Sequence, residues 1–158
     1  MTPEETTAAL GVFFGLMKKN DYLNMVDSFA DALISQPDAI EVECPVKHRF
    51  TPGLYIREIF MPAGTKVISA IHRYEHPFVI SQGVVKVYDE YNEFQLLRAP
   101  HTGITLQGTC RLLSVEEDCI WTTFHTTNKT DVAEILDDII IKRPTVDGKT
   151  PMYLRNLN

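Results

Sequence analysis

From residue 39 to residue 125, short apolar runs alternate with clusters of Gly, Pro, Asn and Asp. This rhythm constrains the fold more than any other feature of the chain. Runs at 39–43, 54–61, 66–72, 78–81, 84–88, 93–99, 103–106, 111–115 and 120–125 read as strands, with turns at 62–64, 82–83, 89–92, 107–108 and 116–118. No helical stripe interrupts them, which disfavours a parallel sheet with crossover helices. Many short strands at even spacing point instead to a mainly β fold, an antiparallel sandwich or barrel.

Both flanks change period. Thr2, Pro3 and Glu5 form a capping box with proline at the first helical position. Leu10, Phe13, Phe14 and Met17 then share one helical face. Asn20–Asp21 reads as a break, followed by a second helix with a Tyr22, Met25, Val26, Phe29 and Leu33 stripe that stops before Pro37. After the strands, Thr130 reads as the cap of a helix whose face is Val132, Ile135, Leu136, Ile139 and Ile140, ended by Pro144. A polar tail occupies 145–158. The expected organisation is one domain: a helical segment at 1–38, a barrel at 39–128, and a C-terminal helix and tail at 129–158.

A 158-residue chain that is 44% hydrophobic can bury a core without disulfides or metal. Its net charge of −6 argues against nucleic acid, which needs clustered Lys and Arg, and it offers no basic patch to an anionic membrane. No apolar run approaches the roughly 18 residues of a membrane helix. The acidic opening MTPEETTAAL lacks the basic region of a secretion signal, so a cytoplasmic protein is expected. Cys44, Cys110 and Cys119 have neither disulfide-framework nor zinc-ribbon spacing and read as reduced, mostly buried residues.

The stretch 61–83, MPAGTKVISAIHRYEHPFVISQG, resembles the first conserved motif of the cupin superfamily. In that motif a Pro-Gly turn precedes a strand bearing His-x-His, a Glu follows, and a Gly closes six residues later. Pro62 and Gly64 match the opening turn and Gly83 the closing Gly. His72 falls on the second histidine, and His76 falls where the Glu would be. Ala70 occupies the first histidine position. In the segment resembling the second motif, Gly108 is present, Leu106 replaces proline, and Arg111 stands where the last histidine would be. Arginine stays protonated and cannot ligate a metal, but it can grip a carboxylate or phosphate. His125 ends the last strand and could join His72 and His76 at the barrel mouth.

The run 43–64, together with the histidine segment and Trp121-Thr-Thr-Phe-His125, is similar to a group of small cupin-like proteins encoded by bacteriophages. That resemblance covers about 43–140. It implies a cupin-like, jelly-roll β-barrel with helices at both ends, acting in the host cytoplasm, in a group without a defined biochemical role. If they converge, the imidazoles of His72, His76 and His125 would suit one divalent transition metal, Zn, Fe, Ni or Cu; otherwise no cofactor is expected.

Each residue also has a plainer reading. His72 and His76 could be hydrogen-bonded strand-end residues, and Arg111 could pair with Glu117 or Asp118. His48 and His101 read as loop histidines. Arg57 and Glu58 are adjacent on a strand, so one faces inward. Tyr55, Tyr74, Phe78, Tyr88 and Trp121 could wall a pocket or simply fill the core. Ser69 falls on the face opposite His72 by alternation. Three functions follow. The first is a non-enzymatic small-molecule binder with Arg111, Arg57, Tyr74 and Trp121 at its ligand. The second is a metal-dependent oxygenase, isomerase or lyase on a small anionic substrate. The third is a scaffold. A homodimer or higher homo-oligomer is expected, with Leu10, Phe13, Phe14 and Phe29 as contacts.

Overall fold

The computed structural model describes residues 2–91, 94–142 and 151–156. Helix α1 (Pro3–Ile34) is followed by β1 (Ala39–Glu41), β2 (Val46–Thr51), β3 (Leu54–Met61), β4 (Lys66–Ile68), β5 (Ile71–His72), β6 (His76–Tyr88), β7 (Gln95–Arg98), β8 (His101–Thr105) and β9 (Leu112–Thr126). Helix α2 (Val132–Ile139), β10 (Ile140–Ile141) and β11 (Met152–Asn156) complete the order. Nine strands form one curled antiparallel sheet, and β5 and β10 form a separate pair.

The barrel is organised by β6 and β9, of 13 and 15 residues. They pair with each other, while β9 also takes β3 and β4 and β6 also takes β7 and β8. The turns expected at 82–83 and 116–118 are not chain reversals. They lie opposite each other inside these strands, where the register shifts through a bulge. A bulge admits an extra residue and bends the strand, which is how one strand serves two walls. Gly83 permits it with φ +97°, and a Cβ there would lie 2.4 Å from the Asp118 carbonyl oxygen.

Alternation then assigns the faces. On β3, Tyr55, Arg57, Ile59 and Met61 share the inward row. Glu58 points out, to the Lys47 and Arg49 side chains of β2. On β9, Cys119, Trp121, Thr123 and His125 share the corresponding row. Ile59, Met61, Val67, Phe78, Ile80, Val85, Val115, Cys119 and Trp121 make the barrel core.

Helix α1 is continuous through Asn20–Asp21, where a break was expected. Neither residue is a proline or glycine, and two polar residues cost only a few tenths of a kcal/mol each in a helix. Its second half is held down by Tyr22, Val26 and Ala30, packed on Ile68, Ile71, Cys110, Met152 and Leu154. Burying Val26, 1% exposed, contributes about 2 kcal/mol. The Tyr22 hydroxyl donates to the Cys110 carbonyl at 2.5 Å, and Lys19 bonds the Gly108 carbonyl at 2.5 Å and pairs with Glu90. Residues 2–13 are all exposed, and the side chain of Phe14 lies outside the described residues.

At the other end, Asp131 rather than Thr130 caps α2, its carboxylate accepting from the Glu134 amide. Ile135 and Ile139 pack on Tyr55 and close one end of the barrel. Ile140 leaves the helix for β10, against His72. The stop expected at Pro144 lies outside the described residues. Met152–Asn156, read as part of a polar tail, forms a strand between β1 and β4. Strand β2 was also not expected: Val46–Thr51 is polar and largely exposed, an edge strand without an apolar rhythm. No described helix is long and apolar enough to cross a membrane. Cys110 and Cys119 are buried and Cys44 is half-buried.

Candidate metal centre and its pocket

His72, His76 and His125 arrive from β5, β6 and β9. His72 is fixed by the short β5–β10 pairing, His76 opens β6, and His125 closes the inward row of β9. Their rings meet, with centroids 4.4 Å apart for His72–His76, 4.6 Å for His76–His125 and 5.5 Å for His72–His125. One nitrogen from each lies within 4.8 Å of the other two.

Burial sets the charge state. Desolvation, followed by the charges of His76, His125, Arg57 and Arg111, pushes His72 down to about 3. His125 is pushed down to about 3 by burial, then by His76 and Arg57. His76 is lowered too, chiefly by burial. All three rings are therefore neutral near pH 7, the form that ligates metal. His76 Nδ1 lies 3.2 Å from the Tyr74 carbonyl. A carbonyl only accepts, so Nδ1 carries the proton and Nε2 keeps its lone pair. His125 Nε2 lies 2.9 Å from Thr123 Oγ1, which fixes the ring's orientation.

These residues fit a metal ion. With metal–nitrogen bonds of about 2.0–2.1 Å, two nitrogens on one ion sit at most about 4.2 Å apart. The observed 4.8 Å spread needs only a small inward rotation of the rings.

Beside the triad is a cavity of about 150 Å³. Ile59, Met61, Val67, Leu113 and Trp121 give it an apolar wall, and Arg57 and Arg111 line it. The Arg111 guanidinium lies 4.8 Å over the Phe78 ring and 5.9 Å over Trp121. Its partner is Asp89, with Nε 3.6 Å from Oδ2, and not Glu117 or Asp118. The two acids suggested by sequence proximity are exposed on the outer side of the β9 bulge. Asp89 continues the inward row of Val85 and Val87, a signal that alternation alone could have supplied.

Of the sequence-derived candidates, His72, His76, His125, Arg57, Arg111 and Trp121 come together. Tyr74 does not, being 59% exposed and contributing only its carbonyl. Tyr55 lies behind His125, stacked on it at 5.8 Å and bonded through its hydroxyl to His48 Nδ1 at 2.6 Å. His48 is thus on strand β2 and His101 on β8 against Phe78, neither in a loop. Tyr88 stacks on Tyr22, away from the cavity. Ser69 lines the cavity together with His72, because the chain leaves β4 at Ile68 and strict alternation ends there. Thr105, Thr109 and Thr123 also line it and were not singled out from sequence; Thr123 shares a row with Trp121 and His125.

No family model and no curated protein matches the sequence. Among solved structures, ectoine synthase from P. lautus superposes with a TM-score of 0.51 at 12% identity, over 76% of this chain and 92% of that one. An RmlC-like cupin family protein with a double-stranded β-helix fold, from Methanocaldococcus jannaschii, gives 0.46 at 12% identity over 54% and 82%. An acetylacetone dioxygenase from Acinetobacter johnsonii gives 0.45 at 13% identity over 58% and 70%. At these identities the likeness is one of fold: the chain is built as a mainly β, cupin-like barrel with a helix at each end. Its site is a three-histidine cluster able to hold a metal.

Proposed function

We propose that the protein is a metal-dependent cupin-type enzyme acting on a small molecule held in the barrel. The observation that carries this reading is the convergence of His72, His76 and His125, three neutral nitrogen donors within 4.8 Å. Structural sites are usually closed by four protein ligands, whereas catalytic ones keep open positions. Here three histidines would hold the ion and the remaining positions would face the cavity. Zn, Fe, Ni or Cu bound there would supply Lewis acidity or, for the redox metals, oxygen activation. The chain's own residues supply the rest. The Tyr74 carbonyl and Thr123 orient two of the rings, Trp121, Met61 and Ile59 exclude water, and Arg57 and Arg111 bring positive charge to the ligand.

This moves the enzyme ahead of the non-enzymatic binder that the sequence favoured. The binder keeps one observation on its side: Ala70 lines the cavity without offering a ligand atom. With the resemblance to phage-encoded proteins, the proposal places the activity in a host cytoplasm. Metal analysis of the purified, untagged protein by plasma mass spectrometry tests it. About one metal per chain is expected in the wild type, with loss in both His72→Ala and His76→Ala. Protein that stays metal-free after reconstitution would reject the enzyme reading and leave the binder.

A further inference from the structure

The cavity wall carries positive charge. Two guanidiniums line it and, among the described residues, no carboxylate does. Arg111 is backed by buried Asp89 at 3.6 Å, yet its Nε and Nη1 are buried without a hydrogen-bond partner. Arg57 occupies the inward row of β3 between Tyr55 and Ile59, and no ion pair joins it to an acid among the described residues. Arg57 is half-buried, and the buried N–H groups of Arg111 cost free energy until an acceptor reaches them. Both arginines line the same cavity as His72 and His76.

We propose that the cavity takes a small monocarboxylic acid, its carboxylate set between Arg57 and Arg111 and its apolar body against Met61, Leu113 and Trp121. This names the substrate class of the enzyme proposed above and rests on that reading for the reaction. Two observations select the class. In the metal-free protein Asp89 offsets the charge of Arg111, so one positive charge is left over, which suits a monoanion better than a dianionic phosphate. The planar guanidinium then grips the carboxylate in two parallel hydrogen bonds. A cavity of about 150 Å³ holds a body the size of a six-carbon ring, and its wall is mainly aliphatic and aromatic.

Titration calorimetry tests this with benzoate, its neutral counterpart benzamide, acetate, and inorganic phosphate, on metal-loaded and chelator-stripped protein. On the stripped protein benzoate is expected to bind at least about tenfold tighter than benzamide and than acetate, with phosphate weaker still. Arg57→Met should lose about tenfold in benzoate affinity, and Arg57→Lys should recover part of it, which separates charge from packing. On that stripped protein, equal binding of benzoate and benzamide, preference for phosphate, or no benzoate binding at millimolar concentration would overturn the inference. A protein that takes up no metal yet selects benzoate would overturn the enzyme reading and leave the carboxylate site standing. One that takes up metal but does not select benzoate would do the reverse.

Discussion

Acidification should weaken the metal-free protein well before its carboxylates titrate. An imidazole kept neutral in the fold but free to protonate in the unfolded chain favours unfolding as pH falls. His72 and His125 drop from the ordinary 6.5 to about 3 in the fold. Their contribution is therefore complete above about pH 7 and is lost progressively between pH 6.5 and 3. Each approaches a slope of about 1.4 kcal/mol per pH unit. From pH 7.5 to 5.5 the pair costs about 3 kcal/mol, and His76, lowered in the same direction, adds to the loss. Domains of this kind are stable by about 5–15 kcal/mol, so the change is a large fraction of the total. Urea unfolding of chelator-stripped protein at pH 7.5, 6.5 and 5.5, followed by the fluorescence of the single tryptophan, Trp121, reads it directly. The midpoint should fall at each step, and His72→Gln with His125→Gln should flatten the dependence. A midpoint unchanged between pH 7.5 and 5.5, or an unaltered slope in the double variant, would refute the argument that these rings are held neutral by burial.

Two further outcomes test the frame around the site. Gly83→Ala places a methyl 2.4 Å from the Asp118 carbonyl and demands φ +97°, so a loss of roughly 2–4 kcal/mol is expected in the same unfolding assay; a wild-type midpoint would contradict the bulge geometry. Residues 2–13 are exposed, with Leu10, Val12 and Phe13 at 50%, 65% and 56%. Deleting them should convert a dimer to a monomer by light scattering, with the barrel still folded by circular dichroism. A full-length protein that is already monomeric would refute self-association through this face.

Where the strand pattern was purely local, it was legible. Leu54–Met61 reads as a strand from sequence and is one, because its alternate residues meet core on one side and solvent on the other. The three histidines were named because their spacing resembles a known motif, but only the crossing of β5, β6 and β9 brings the rings together. What was not legible is non-local. Gln82–Gly83 and Glu116–Asp118 have turn chemistry, and the residues facing them across the bulge make them mid-strand. The partner of Arg111 is 22 positions away in Asp89, at the far end of β6, while the nearer acids face solvent. Met152–Asn156 looks like tail until β1 and β4 are seen to leave a slot for it.

Helix α1 supplies no lining residue to the cavity, yet it grips both stretches of chain that position Arg111. Lys19 holds Glu90, next to Asp89, and the Gly108 carbonyl; Tyr22 holds the carbonyl of Cys110, the residue before Arg111. The helix thus acts as an external splint, and the precision of the pocket is borrowed from it. Substitutions on its inner face should surface as blurred ligand selectivity before they surface as unfolding. A lineage adapting this barrel to a new ligand could retune the site from outside it, leaving every residue of the cavity wall as it was.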